Sequence, residues 1–356
     1  MTIFITIISI FALIFLHELG HFLVAKKYGV RVDEFGLGIP PRAYGKKIGE
    51  TVYSINWLPL GGFVKMHGEN ERADDERSFS SKPIYQRALI VFAGVAAFFV
   101  VAWLIFTTLS ASGVNSVIAG GVDKGELFGG ARVQVTGVME ESPALGAGVE
   151  VGDIIKKIEG EGVKSAVHVT ELVNERRGEE TIIIMQRDGE LVELSIVPRE
   201  NHAPEKGALG ILMMEHFPVY LSPVIGAVMT YEVTAGVLGG FYTLISTLIT
   251  GQDMPEGMEL SGIVGIVGIG ADVYEQGALD YLNFLGIITV SLAVLNLLPI
   301  PALDGGRLLF LLIEKVKGSP VSEKTEQILI GVSFIMLIIL MLVVTYGDIT
   351  RITSGG

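Results

Sequence analysis

Cysteine is absent from all 356 residues, so the chain has no disulfide framework and no thiolate metal site. Charge is sparse. Asp, Glu, Lys and Arg make up 18% of the chain against 50% hydrophobic residues, and the mean hydropathy is +0.54, so much of the chain belongs in an apolar surrounding. No basic stripe offsets the net charge of −13, which excludes nucleic acid as a partner. The first apolar run lacks a basic leading segment and a small-x-small cleavage site. It therefore reads as a retained helix, not a removable secretory signal.

What the chain does have is apolar length. Four runs reach about 18 residues or more, enough to cross a bilayer. They fall near Ile3–Val24, Ile84–Leu109, Tyr281–Ile300 and Ile328–Thr345. A fifth stretch, Leu221–Thr250, is interrupted by Pro, Glu and many Gly and Thr residues. It is expected to lie in the outer interface or to fold back within the protein. The fold class expected is a polytopic α-helical membrane protein of about four transmembrane helices, with a soluble α+β domain inserted.

Inside the first run stands His17-Glu18-Leu19-Gly20-His21. On a helix, positions i and i+4 share a face about 5–6 Å apart, so the two imidazoles reach one ion. A catalytic zinc takes three protein ligands and keeps one position open. Glu18 follows the first histidine, where such helices carry the general base. Ionisable residues are costly in a spanning segment and face a protein interior or a wet cavity, so three on adjacent turns need one common explanation. Metal binding supplies it. The third ligand is sought far along the chain, in Asn296-Leu297-Leu298-Pro299-Ile300-Pro301-Ala302-Leu303-Asp304-Gly305-Gly306. Asp304 is the candidate, the two glycines after it allowing close backbone approach. The alternative for Asp304 is an ordinary N-cap of the helix starting near Gly305. Asn296 either contacts the substrate backbone or oxyanion, or makes a helix–helix hydrogen bond. His67, His168, His202 and His216 fall in loops or the soluble part and read as surface residues.

Lys and Arg placement predicts topology. Lys26, Lys27, Arg31, Arg42, Lys46, Lys47, Lys65, Arg72, Arg77, Lys82 and Arg87 surround the loop after the first run. Arg307, Lys315, Lys317 and Lys324 precede the last. Both loops are expected to be cytoplasmic. Residues 251–283 contain no Lys or Arg and are expected outside. The first helix then runs outside to inside with its histidines in the inner half, and the run 281–300 does the same. The acidic middle, about 114–217, is placed outside.

That middle alternates as strands do at Val133–Val138, Thr181–Gln186 and Leu191–Val197. It resembles a bacterial PDZ domain in Ser142-Pro143-Ala144, Ala147-Gly148-Val149, Gly152-Asp153-Ile154-Ile155 and the Arg187-Asp188-Gly189 hairpin. PDZ domains hold extended peptides or chain ends at a sheet edge. Residues 49–68 read as a hairpin, either holding an extended substrate near the metal or anchored at the interface by Trp57.

His17-Glu18-x-x-His21 in the first helix and Asn296-x-x-Pro299…Asp304-Gly305 in a later one resemble the site-2 protease family of zinc intramembrane metalloproteases. Phe35-Gly36-Leu37-Gly38 matches as well, and the resemblance covers essentially the whole chain. It implies Zn²⁺ on His17, His21 and Asp304, Glu18 as catalytic base, and a membrane-associated β-hairpin. The implied activity is a metalloendopeptidase that cuts membrane segments of single-pass proteins already trimmed outside. Its implied partners are an anti-sigma factor or a leftover signal peptide, within the lipid bilayer of the bacterial inner membrane. The PDZ domain would be extracytoplasmic and filter substrates by size or by binding the new chain end, with the active site toward the cytoplasm. The organisation expected is residues 1–110 with the metal helix and hairpin, 114–200 the PDZ domain, 201–280 an interfacial segment, and 281–356 the C-terminal helices. The best-known members carry two tandem PDZ domains, whereas about a hundred residues hold only one.

Overall fold

The computed structural model describes residues 1–69, 73–111, 132–140, 142–187, 189–200, 207–216, 223–251 and 261–354. Two compact units emerge, Met1–Thr107 with Pro223–Gly356, and Thr108–Ser222.

In the first unit, α1 spans Thr2–Lys27. No acidic residue sits in its first turn, and Lys26 and Lys27 in its last turn complement the helix dipole. Its buried residues include Leu13, His17, His21 and Ala25, spaced by four along one face. The helix is thus apolar outward and carries its imidazoles inward, the reverse of a helix in water. The chain then forms β1 (Val32–Ile48) and β2 (Thr51–Met66). Both strands fold over on themselves. Glu34 to Leu37 pair on one side with Val52 to Ile55 and on the other with Gly62 to Lys65. The two-stranded hairpin expected at 49–68 is therefore a four-segment sheet, with 62–66 at an edge. Lys26 and Arg77 both pair with Glu50 at its turn and hold that carboxyl down to about 2, tying the sheet to the end of α1.

Helix α2 (Ile84–Ser110) packs on α1 through Gly20, where an added Cβ would lie 3.0 Å from Ala97 Cβ and closer to the Ala93 carbonyl. The remaining helices of this unit are α5 (Pro223–Thr250), α6 (Ile263–Gln276), α7 (Ala278–Leu297), α8 (Asp304–Lys317) and α9 (Glu323–Ser354). Two tie points orient α7. Tyr281 in its first turn donates to Ser9 at 2.9 Å, and Asp304 just past its end lies 3.3 Å from His17. Helices α1 and α7 therefore run in the same direction. Arg87 of α2 grips Glu314 of α8 through two hydrogen bonds of 2.9 and 2.5 Å.

Five helices among the described residues are long and apolar enough to cross a membrane, one more than the four expected. The addition is α5, a continuous 28-residue helix despite its Gly and Thr content. Thr230, Thr234, Thr243 and Thr247 turn their hydroxyls back onto carbonyls four residues earlier, so they add no unsatisfied polar group.

The second unit is α+β. Strands β3 (Arg132–Val138), β4 (Ile154–Ile158), β5 (Glu161–Gly162), β6 (Thr181–Arg187), β7 (Glu190–Ile196) and β8 (Ile211–His216) form one sheet ordered β7-β6-β4-β3-β8, with β5 on β4. The short α3 (Pro143–Gly146) is capped by Ser142, and α4 (Ala166–Asn174) by Ser165. Val133, Ile155, Val169, Ile183 and Ile196 form the core. Strand β8 lies beyond residue 200 yet completes this sheet. Asp188 of the expected hairpin and His202 lie outside the described residues. Arg187 holds buried Asp153 at 2.7 and 2.8 Å and also reaches Gly148 O at 2.8 Å.

Candidate metal centre

Buried in the first unit, His17 Nε2 and His21 Nε2 stand 3.2 Å apart, and each is 3.3 Å from Asp304 Oδ2. A tetrahedral zinc with bonds of about 2.0–2.1 Å needs ligand atoms about 3.3 Å apart. The triangle has the size such an ion requires. Asp304 Oδ2 is buried and makes no hydrogen bond, as a ligand oxygen awaiting a cation would be. Two nitrogens and a carboxylate oxygen are also a donor set that zinc accepts.

Neighbouring groups aim these side chains. His21 Nδ1 lies 2.9 Å from the Ile90 carbonyl, which fixes the proton there and turns Nε2 to the centre. The His17 ring stacks on Phe98 with centroids 4.6 Å apart. Between Ile90 and Phe98 on α2 stands Gly94, where an added Cβ would lie 2.6 Å from His17 Cε1 and closer still to His21 Nε2. Helix α2 is thus a wall of the site, supplying a carbonyl, a ring and a gap.

Asp304 arrives from α7 by a sharp turn. Leu298 is extended at ψ 142°, as the residue before a proline prefers, so α7 stops at Leu297. The apolar run continues to Ile300 in sequence but the helix does not. Added Cβ atoms on Gly305 and Gly306 would strike the Leu297 and Ile300 carbonyls, so only glycine permits this packing. Asp304 is the first residue of α8. Leu303 is the N-cap and no side chain caps it, so the ordinary capping role does not describe Asp304.

His17, Glu18, His21, Asn296 and Asp304 all line one cavity of about 480 Å³. Its opposite wall is the edge segment Gly62–Met66. Gly62 gives Glu18 room, since a Cβ there would lie 2.8 Å from Glu18 Cγ. Asn296 Nδ2 donates to Leu292 O at 2.9 Å within its own helix, not across to another. One amide hydrogen and the amide oxygen remain. His67 binds Arg31 at 2.8 Å and His168 pairs with Glu161 at 3.4 Å.

Sequence reasoning missed Gly94, Gly62 and Arg307. Arg307 also lines the cavity and pairs with Glu69 at the end of the sheet. Its signal was available: it stands three residues after Asp304, on the same face of α8. The glycines carry no such signal in an apolar run.

A glutamate beside two helix-borne histidines, with a distant aspartate closing the set, is the arrangement of a metallopeptidase. The apolar helices that carry it make this a membrane protein. The chain belongs to peptidase family M50, whose pattern matches residues 5–340. It is similar to a protein of Clostridium perfringens named as a zinc metalloprotease, with 32% identity over 350 residues and 98% of each chain. The regulator of sigma-W protease RasP of Bacillus subtilis is 31% identical over 429 residues and 96% of each chain. The zinc metalloprotease RasP of Bacillus licheniformis is 30% identical over 428 residues, again 96% of each. A PDZ domain of an SdrC-like protein from Listeria innocua aligns with 26% of this chain and 99% of that one, at 28% identity and a TM-score of 0.20. This chain is a site-2-type zinc metalloprotease.

Proposed function

We propose that the enzyme cuts peptide bonds within the membrane segments of single-pass proteins. The observation that carries this reading is that the zinc-sized triangle joins two histidines of a helix of spanning length to the turn that follows another, and opens on a sheet edge with no strand partner among the described residues. His17, His21 and Asp304 are the zinc ligands. Held there, zinc would supply Lewis acidity toward the scissile carbonyl and the attacking water. Glu18 takes the proton from the attacking water and delivers it to the leaving amine. Asn296 uses its remaining amide hydrogen and oxygen to hold the substrate backbone.

A transmembrane helix satisfies its own backbone hydrogen bonds and hides the scissile carbonyl. Segment 62–66 offers an alternative set of partners along its free edge. A locally unwound substrate adds there as a strand, its carbonyl brought to the cavity beside Glu18.

By the excess of Lys and Arg in residues 26–87 and 307–324, those loops are cytoplasmic. The common direction of α1 and α7 agrees, since both then run outside to inside. The centre sits toward the cytoplasmic side, and the α+β unit, a single PDZ domain, lies outside. The first turn of helix α5 lies at the outer level, where its Gly226 abuts Thr107 near the end of α2. A relative is named as a regulator of sigma-W, so an anti-sigma factor trimmed on its outer side is the substrate class proposed, with signal-peptide remnants as the second. The test is cleavage of a single-pass substrate in sealed vesicles, with the products located by mass spectrometry. New ends within the membrane segment support the reading. Ends confined to a soluble tail overturn it.

A further inference from the structure

Helix α8 carries a feature that the metal centre does not use. Leu309, Leu312, Ile313 and Val316 follow the i, i+3, i+4, i+7 pattern of a single helix face. All four are exposed, Val316 to 82% and Leu312 to 56%. Lys315 and Lys317 flank the stripe, each about 100° from Val316 in opposite senses. Neither lysine has an ion pair among the described residues, whereas Glu314 on the other face is committed to Arg87. The 14-residue helix is about 21 Å long, too short to cross a hydrocarbon core of about 30 Å. An apolar groove continues the stripe onto Tyr85 and Leu89 of α2.

We propose that α8 is an interfacial helix seated on anionic phospholipid, with the stripe among the acyl chains and the two lysines at the headgroups. An exposed apolar face bordered by free cations is what a negatively charged membrane surface holds. A water-exposed role leaves the leucines unexplained, and a purely apolar seat leaves the lysines unexplained. Since α8 begins at Asp304, its seat also sets the depth of the aspartate. The inference rests on the reading that the chain spans a membrane.

The chain has no cysteine, so a single introduced one is uniquely labelled. Spin labels at Leu312→Cys and Val316→Cys are compared in vesicles of phosphatidylcholine alone and with phosphatidylglycerol added. Accessibility to oxygen reports lipid and accessibility to a water-soluble nickel chelate reports water. Both labels are expected to become shielded from nickel in the anionic vesicles, and Lys315→Glu with Lys317→Glu to abolish the difference. Each lysine contributes roughly a 5-fold preference for anionic headgroups. Three results overturn the proposal: nickel access in both membranes, equal immersion whatever the headgroup or the lysines, or spin–spin broadening from a second copy covering the stripe. A label at Ile339→Cys, exposed in the middle of α9, separates the two readings. Lipid at 339 with water at 312 and 316 defeats this inference alone. Water at 339 defeats the membrane-spanning reading.

Discussion

Replacing Gly94 with alanine adds one methyl group and should cost the enzyme its zinc. The new Cβ would lie 2.6 Å from His17 Cε1 and closer to His21 Nε2, where carbon contacts normally settle at about 3.5–4.0 Å. Neither ring has free room to retreat. His17 is stacked on Phe98, and His21 is held at the Ile90 carbonyl. Forced overpacking of this kind costs about 1–3 kcal/mol. If that strain falls on the liganded geometry, zinc affinity drops about 5- to 150-fold. The assay is zinc content of purified protein after equilibration against graded chelator. Gly236→Ala is the matched control, because a Cβ there meets nothing within 4 Å. It should leave zinc binding unchanged. Wild-type zinc affinity in Gly94→Ala would refute the claim that α2 bounds the metal centre.

Asn296→Ala should raise KM about 10-fold, the worth of roughly one hydrogen bond, while zinc content stays constant. An unchanged KM would confine Asn296 to its bond with Leu292. In the α+β unit, Arg187 holds the Asp153 carboxyl below its ordinary value. A depressed folded pKa means stability that is complete above the unfolded value of about 3.9 and lost as pH falls through the folded one. Hydrogen exchange of the β3 and β4 amides in the full chain should therefore hold steady from neutral pH and accelerate only below about 4, beyond the intrinsic exchange trend. Arg187→Ala should cost this unit about 3 kcal/mol at neutral pH by leaving Asp153, 1% exposed, without its cation. Equal protection in the variant would contradict that.

Spacing made the centre legible. Residues four apart on a helix must share a face, so spacing alone pairs His17 with His21. A carboxylate at the end of a distant apolar run had two readings, metal ligand or helix N-cap, and the cap position at Leu303 removes the second. Helix α7 ended three residues before its apolar run because Pro299 pushes Leu298 out of helical geometry, a local rule that hydropathy alone ignores. The folding-over of β1 and β2 was not legible, since alternation specifies a strand but not which segments pair. Gly94 and Gly62 act by what they lack, and that has meaning only once the histidines and Glu18 are packed against them. Helix α5 reads as irregular from its Gly and Thr content, yet its threonines satisfy themselves along the helix.

The proposed mechanism divides the labour: His17, His21 and Asp304 hold zinc, and Glu18 moves the proton. Glu18→Gln keeps the shape of the side chain and removes its basicity. Cleavage of a single-pass substrate in vesicles, measured on protein whose zinc content is determined in the same preparation, separates the two roles. Full zinc with cleavage reduced about 10²- to 10⁴-fold is the result expected of a lost general base. Full zinc with wild-type cleavage would contradict the role given to Glu18.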